Sequence, residues 1–160
     1  MIRPVVAADA PSICEIYNHH VRGTIVTFEE QPVADDEMAR RIAETSIIYP
    51  WLVSEVAGSI AGYSYASSWK RRSAYRFAIE STIYMATQFA GRGLGSELYR
   101  ALIAEMRSCG LHCAIGGISL PNPASIALHE KLGFKHIGHF REVGWKFGKW
   151  VDVGYWELVF

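Results

Sequence analysis

The chain has 160 residues, with 16 basic and 16 acidic side chains and a formal net charge of zero. Half of the residues are apolar and 12% are aromatic, which excludes a disordered or low-complexity chain and supplies one domain with a core large enough for a pocket. Zero net charge also argues against a general binder of nucleic acid or anionic membrane, because such contacts depend on excess Lys and Arg.

The cysteines are Cys14, Cys109 and Cys113, an odd number without zinc-site spacing, so a reducing compartment and no metal are expected. All three fall on segments that read as core. Met1 to Pro4 lacks the apolar run of a secretory signal. The most apolar stretch, Ile47 to Ala66, is broken by Pro50, Glu55, Gly58 and Gly62, and reads as two strands and a turn rather than a membrane span. The expectation is a cytoplasmic protein with no membrane partner.

Along the chain, Ile2 to Val6 forms a short opening strand. Asp9 then caps a helix with Pro11 in its first turn and Ile13, Ile16 and Tyr17 on its buried stripe. A polar connection from Gly23 to Gln31 leads to a second helix starting near Asp35. Trp51–Val56 and Ile60–Ser68 read as antiparallel strands around an Ala57-Gly58 turn. From Phe77, strict alternation sets Ile79, Ser81, Ile83 and Met85 on one face of a strand and Ala78, Glu80, Thr82 and Tyr84 on the other.

After Gly91-Arg92-Gly93-Leu94-Gly95-Ser96 comes an amphipathic helix with Leu94, Leu98, Leu102 and Met106 at four-residue steps, Tyr99 and Ile103 beside them, and Gly110 as its stop. Cys113–Leu120 is a buried strand. Asn122-Pro123 opens a helix carrying Ile126, Leu128 and Leu132 that ends at Gly133, and two strands follow, about Lys135–Phe147 and Val151–Phe160. The order β-α-α-β-β-β-α-β-α-β-β defines a single α/β domain, with a mixed, mostly antiparallel sheet and helices on both faces.

A strand that ends in a glycine-rich turn and feeds directly into a helix is an anion site in physical terms, since free N–H groups of the first helical turn point at the ligand. The loop has no Gly-Lys-Ser/Thr and its glycines run G-x-G-x-G, so neither the P-loop nor the dinucleotide fingerprint applies. Taken alone it reads equally well as a tight connection.

Its surroundings are more specific. Glu80-Ser81-Thr82-Ile83-Tyr84-Met85, then Gly91 to Ser96, then Leu128-His129-Glu130-Lys131-Leu132-Gly133-Phe134 together resemble the GNAT superfamily of acyl-CoA-dependent N-acetyltransferases. The resemblance spans nearly the whole chain. It is nearest to the phosphinothricin and methionine sulfoximine acetyltransferase branch, through Ile16-Tyr17-Asn18-His19, Tyr49-Pro50-Trp51-Leu52-Val53, Leu120-Pro121-Asn122 and Lys146 to Gly154. One departure is visible. With the superfamily's loop glycines set on Gly93 and Gly95, Ala90 stands where Gln or Arg is usual; a second register uses Gln88, Gly91 and Gly93.

The resemblance implies acetyl-CoA as co-substrate. Its pantetheine arm would lie along Ile83, Tyr84 and Met85, its pyrophosphate on the N–H groups of Gly91, Arg92, Gly93, Leu94, Gly95 and Ser96, and Asn122 would bond the arm as well as cap its helix. Arg92 would add positive charge, or remain a solvated loop residue. Acyl transfer to an amine needs a neutral amine, a polarised thioester carbonyl and a proton for the departing thiolate. Glu80 is the candidate base, in an apolar segment where burial raises its pKa; the alternative is a carboxylate paired with Arg76. His129 is the second candidate catalytic residue, as acid or base, the alternative being a structural helix histidine. A backbone N–H near Met85 would polarise the carbonyl.

Lys70, Arg71, Arg72 and Arg76 form the only concentrated positive charge, close in sequence to Glu80. They read as a carboxylate clamp or as a solvated basic turn. In the branch, the positions of Lys70 to Arg72 and of Glu80, Ser81 and Thr82 line the substrate pocket, which implies small L-amino acids or their sulfone, sulfoximine or phosphinate analogues as acceptors. Phe28, Trp69, Tyr75 and Trp145 are candidate walls. The branch also implies a homodimer. A protein N-terminus, a polyamine or aminoglycoside, and a non-catalytic acyl-CoA-binding module stand as alternatives.

Overall fold

The computed structural model describes all 160 residues. Its strands are β1 (Ile2–Pro4), β2 (Trp51–Val56), β3 (Ser59–Ser68), β4 (Ala78–Met85), β5 (Cys113–Leu120), β6 (Lys135–Lys146) and β7 (Lys149–Val159). The helices are α1 (Ala10–Gly23), α2 (Asp35–Ser46), α3 (Leu94–Ser108) and α4 (Pro123–Lys131). The strands form one sheet in the order β1-β2-β3-β4-β5-β7-β6, antiparallel throughout except for the β4–β5 pair. The mixed, mostly antiparallel architecture matches the expected element order.

The alternation of β4 divides the core in two. Ile79, Ile83 and Met85 join Leu98, Leu102 and Met106 of α3, whereas Tyr84 packs with Ile13, Ile16 and Tyr17 of α1, Met38 and Ile42 of α2, and Trp51 and Tyr63 of the sheet. Burying these stripes is what folds α1, α2 and α3, since helices of 12 to 15 residues are marginal alone. Trp51, Tyr65 and Tyr63 stack across β2 and β3, with the first pair 4.2 Å apart at their ring centroids.

One break in the sheet positions the site. The parallel ladder pairs only Ala78, Ile79 and Glu80 with Cys113, Ala114 and Ile115. Beyond Glu80 the two strands part, while β4 stays paired to β3 as far as Met85. The β5-facing backbone edge from Ser81 to Met85 is therefore left without a ladder.

Several expectations are corrected. Asp9 does not cap α1 through its side chain; its carboxylate instead accepts from both Arg3 Nη atoms at 2.8 Å and from the Val6 N–H at 2.8 Å. The ionic bonds outcompete a cap that Pro11, early in the helix, does not need. Cys109 is exposed at the end of α3 and Cys113 is half-buried, so only Cys14 is a core thiol. In α4 the buried residue is His129, with Ile126, Leu128 and Leu132 only partly covered. Phe147 leaves the last hairpin and forms its turn with Gly148, both at positive φ (53° and 72°), the geometry of a two-residue hairpin loop.

Candidate active site

The gap between β4 and β5 opens into a cavity of about 1060 Å³. Residues Glu80 to Met85 line it from β4, Gly117 to Ser119 from β5, Tyr155 from β7, and Asn122, Ser125, Leu128 and His129 from the start and face of α4. Gly91, Gly93, Gly95 and Ser96 line it at the mouth of α3, and Thr27 and Phe28 close it from the α1–α2 connection. Glu80, Ser81, Thr82, Ile83, Tyr84, Met85, Asn122, His129 and Phe28 are thus brought together around one space.

Glu80 sits where the ladder ends. It makes no hydrogen bond and no ion pair, and its Oε1 lies 3.7 Å from where a side chain at Gly117 would begin. Burial raises its pKa, opposed by the positive charge of Lys70. The expected alternative partner, Arg76, donates to the Ser73 carbonyl and lies over the Phe77 ring. A desolvated, unpartnered carboxylate facing a cavity is a competent proton acceptor.

His129 is buried, and both of its ring nitrogens are engaged. Nδ1 lies 2.8 Å from the Ser125 carbonyl oxygen, one turn back in α4, and Nε2 lies 3.0 Å from the Tyr99 hydroxyl. Tyr99, fully buried on α3, also meets Ser81 Oγ at 2.6 Å. Burial lowers the His129 pKa, so the neutral imidazole prevails. Tyr99 was legible in the sequence only as a member of an apolar stripe. A buried tyrosine hydroxyl needs a partner, and that requirement was the available signal.

The glycine loop separates two demands. Gly91 and Gly93 have φ of 74° and 83°, and a side chain begun at either would meet nothing within 4 Å. Gly95 has ordinary helical geometry, with only ordinary contact to Met85. The backbone N–H groups from Gly91 to Gly95 donate to no group of the chain, whereas Ser96 and Glu97 donate to the Gly93 carbonyl. An open, glycine-lined row of N–H donors at a helix start fits a pyrophosphate, and the unladdered edge of β4 fits amide groups lying beside it. These residues can hold acetyl-CoA. Asn122 caps α4 through Oδ1, which accepts from the Ser125 N–H at 3.1 Å. Arg92 lies over the Phe89 ring, 5.5 Å from its centroid, and like Leu94 does not line the cavity.

The basic loop is placed differently from the rest. Lys70, Arg71 and Arg72 are exposed and none lines the cavity. Of the candidate aromatic walls only Phe28 lines it. Trp69 meets Tyr155 edge-on, Tyr75 is exposed, and Trp145 packs on Trp150 at the far end of the β6–β7 hairpin. Thr27, Tyr65 and Tyr155 are additional lining residues that the sequence did not single out, and His20 at the end of α1 lines the cavity as well. The Thr27–Phe28 segment is pinned from behind by buried Lys146, whose Nζ donates to the Thr27 carbonyl at 2.7 Å. Phe28 lies so close to Gly144 that any side chain there would overlap its ring.

Residues 2–154 match the model of the acetyltransferase (GNAT) domain. The chain is 41% identical over 159 residues to the phosphinothricin N-acetyltransferase of Streptomyces viridochromogenes, covering 99% of this chain and 87% of that protein. It is 38% identical over 152 residues to the L-methionine sulfoximine/L-methionine sulfone acetyltransferase of Salmonella typhimurium, covering 94% of this chain and 89% of that one. The crystal structure of a phosphinothricin acetyltransferase from Sinorhizobium meliloti in complex with acetyl-CoA superimposes with a TM-score of 0.96 at 37% identity, over 99% of this chain and 87% of that one. With the family model covering almost its entire length and close relatives aligned end to end, this chain belongs to the GNAT family of N-acetyltransferases.

Proposed function

We propose that the chain transfers an acetyl group from acetyl-CoA to the α-amine of small L-amino acids or their toxic analogues, among them phosphinothricin, methionine sulfoximine and methionine sulfone. The observation that carries this reading is Glu80: an unpartnered, half-buried carboxylate at the point where β4 leaves β5, in the same cavity as the free N–H row of Gly91 to Gly95. The relatives named for phosphinothricin and methionine sulfoximine supply the acceptor class.

Acetyl-CoA supplies the activated thioester. Glu80 takes a proton from the acceptor's ammonium, directly or through water, so that the amine attacks as a neutral nucleophile. The N–H row from Gly91 to Gly95 neutralises phosphate charge without a lysine, and the free edge from Ser81 to Met85 aligns the arm. Thr82, Tyr65 and Tyr155 surround Glu80 and orient the acceptor. Lys70, Arg71 and Arg72 stand on the loop leading into β4 and provide the nearby positive charge for a carboxylate, with Lys70 already felt at Glu80.

Exposed Phe140, Trp145 and Trp150 on the β6–β7 hairpin favour a homodimer built on that end of the sheet. No helix is long and apolar enough to cross a membrane, and the free thiols suit a cytoplasmic setting.

Thiol release from acetyl-CoA, measured with methionine sulfoximine, methionine sulfone, phosphinothricin, ordinary amino acids, their amides and a polyamine, tests the reading. Turnover confined to acceptors bearing an α-carboxylate is expected, with Arg72→Ala raising KM for them. Turnover on the polyamine alone, or equal rates on acids and amides, overturns the acceptor class.

A further inference from the structure

The placement of His129 raises a question that its family position leaves open: how an imidazole with both nitrogens occupied takes part in proton transfer. The hydrogen bonds around it have a fixed direction. A carbonyl oxygen cannot donate, so the 2.8 Å contact from Nδ1 to Ser125 requires a proton on Nδ1. The neutral ring then offers Nε2 only as an acceptor, and Tyr99 Oη must donate to it across 3.0 Å. The Tyr99 oxygen in turn accepts from Ser81 Oγ at 2.6 Å. Ser81 and His129 both border the cavity, whereas Tyr99 lies wholly inside the protein.

We propose that Ser81 and Tyr99 form a hydroxyl relay through which His129 exchanges protons with the cavity, with Tyr99 as the positioning residue that links the other two. A proton arriving at Ser81 Oγ releases the serine's own proton to Tyr99, and Tyr99 releases its proton to Nε2. Three hydrogens shift, no heavy atom moves, and the positive charge ends on an imidazolium whose two N–H groups face Tyr99 and Ser125. The reverse shift returns one proton through Ser81 to a base in the cavity, such as a departing thiolate. This rests on the reading of the chain as an acetyltransferase, but the direction of the relay does not.

The environment of the ring fits storage of a single transient charge. Tyr99 and Phe134 pack against it from α3 and from beyond α4, Gly116 lies beneath it on β5, and Ser125 precedes it on α4. The one titratable group in contact with it is Tyr99. Glu80, on the opposite face of β4, acts on Tyr99 through its charge. Glu130, the next residue on α4, is turned away to accept from Trp156 Nε1.

Tyr99→Phe keeps the ring stack on Phe134 and removes only the hydroxyl; Ser81→Ala opens the relay at its cavity end, and Ser81→Thr restores a hydroxyl. With 15N-labelled histidine, the unliganded wild-type protein should show His129 protonated on Nδ1 with a hydrogen-bonded Nε2. Tyr99→Phe should lose the Nε2 hydrogen bond while Nδ1 stays protonated. In turnover, Tyr99→Phe and Ser81→Ala should lower kcat about 10- to 100-fold with KM nearly unchanged. Both should remove the ionisation assigned to His129 from the kcat–pH profile, and Ser81→Thr should recover most of the rate. A His129 protonated on Nε2, or a Tyr99→Phe protein with kcat within twofold of wild type and an unaltered pH profile, overturns the relay. If wild type turns over none of the acceptors, the proposed acceptor class fails, and the NMR result still decides the direction of the relay by itself.

Discussion

Replacing Glu80 by glutamine separates catalysis from stability in opposite directions. The side chain keeps its size and loses its charge in a place where the charge has neither a hydrogen bond nor an ion pair. If Glu80 deprotonates the acceptor, the variant must wait for the fraction of amine that is already neutral. Two pH units below the amine's pKa that fraction is about 1%, so kcat/KM should fall about 100-fold there. The deficit should shrink about tenfold for each pH unit gained and close as the amine deprotonates by itself. Stability moves the other way. A carboxyl whose folded pKa is raised binds its proton more tightly folded than unfolded, so wild type loses stability as pH rises from the ordinary carboxylate range through the folded pKa. Glu80→Gln lacks that loss and should melt higher at neutral pH. Rates by thiol release from pH 6 to 9.5 and thermal melts at matched pH test both halves. A deficit of constant size across pH would show that Glu80 orients the acceptor without deprotonating it. Equal rates would remove it from the reaction.

Three further substitutions probe the supports of the site. Gly93→Ala forces a side chain onto φ of 83° and should cost about 1 kcal/mol of stability, whereas Gly95→Ala should cost none; if the N–H row of this loop holds the pyrophosphate as proposed, both should weaken acetyl-CoA binding by calorimetry, because each adds a methyl beside that row. Lys146→Met removes the donor to the Thr27 carbonyl and frees the Phe28 segment, so KM for the acceptor should rise on the order of tenfold with kcat little changed. Asp9→Asn should lose about 2 kcal/mol at neutral pH by denaturant titration, as its bonds to Arg3 and Val6 depend on charge. Arg3 holds the Asp9 pKa below the usual range, so wild type keeps that stability above the ordinary aspartate pKa and loses it as pH falls through the folded value; the variant should show no such acid limb.

The elements were legible because their signals are local. Period-two alternation marked β4, four-residue spacing marked α3, and Ala57-Gly58 marked the turn between β2 and β3. Glu80 and the glycine loop could be placed because strand, turn and helix follow one another directly in the chain. The residues that escaped are held by contacts between distant segments. Lys146 is 119 residues from the Thr27 carbonyl it binds, and Tyr99 is 30 from His129. The Lys70–Arg72 loop shows the converse: it is close to Glu80 in sequence, but the long β3–β4 connection leaves those side chains exposed and outside the cavity lining, a placement that proximity in the chain does not reveal.

Alternation along β4 also explains why one short strand can serve two kinds of proton chemistry. Successive side chains point to opposite faces, so Glu80 and Ser81 are neighbours in sequence and separated by the sheet. Glu80 faces the Tyr65 and Tyr155 side, where it has no hydrogen-bond partner, and Ser81 faces α3, where its Oγ lies 2.6 Å from the Tyr99 hydroxyl. Were both on one face, a serine hydroxyl would be free to donate to the carboxylate, lowering its pKa and spoiling the base. Keeping the faces apart leaves the carboxylate unsatisfied and ready to accept, while the hydroxyl relay stays fully bonded. The parting of β4 from β5 just past Glu80 then exposes both faces to the same cavity.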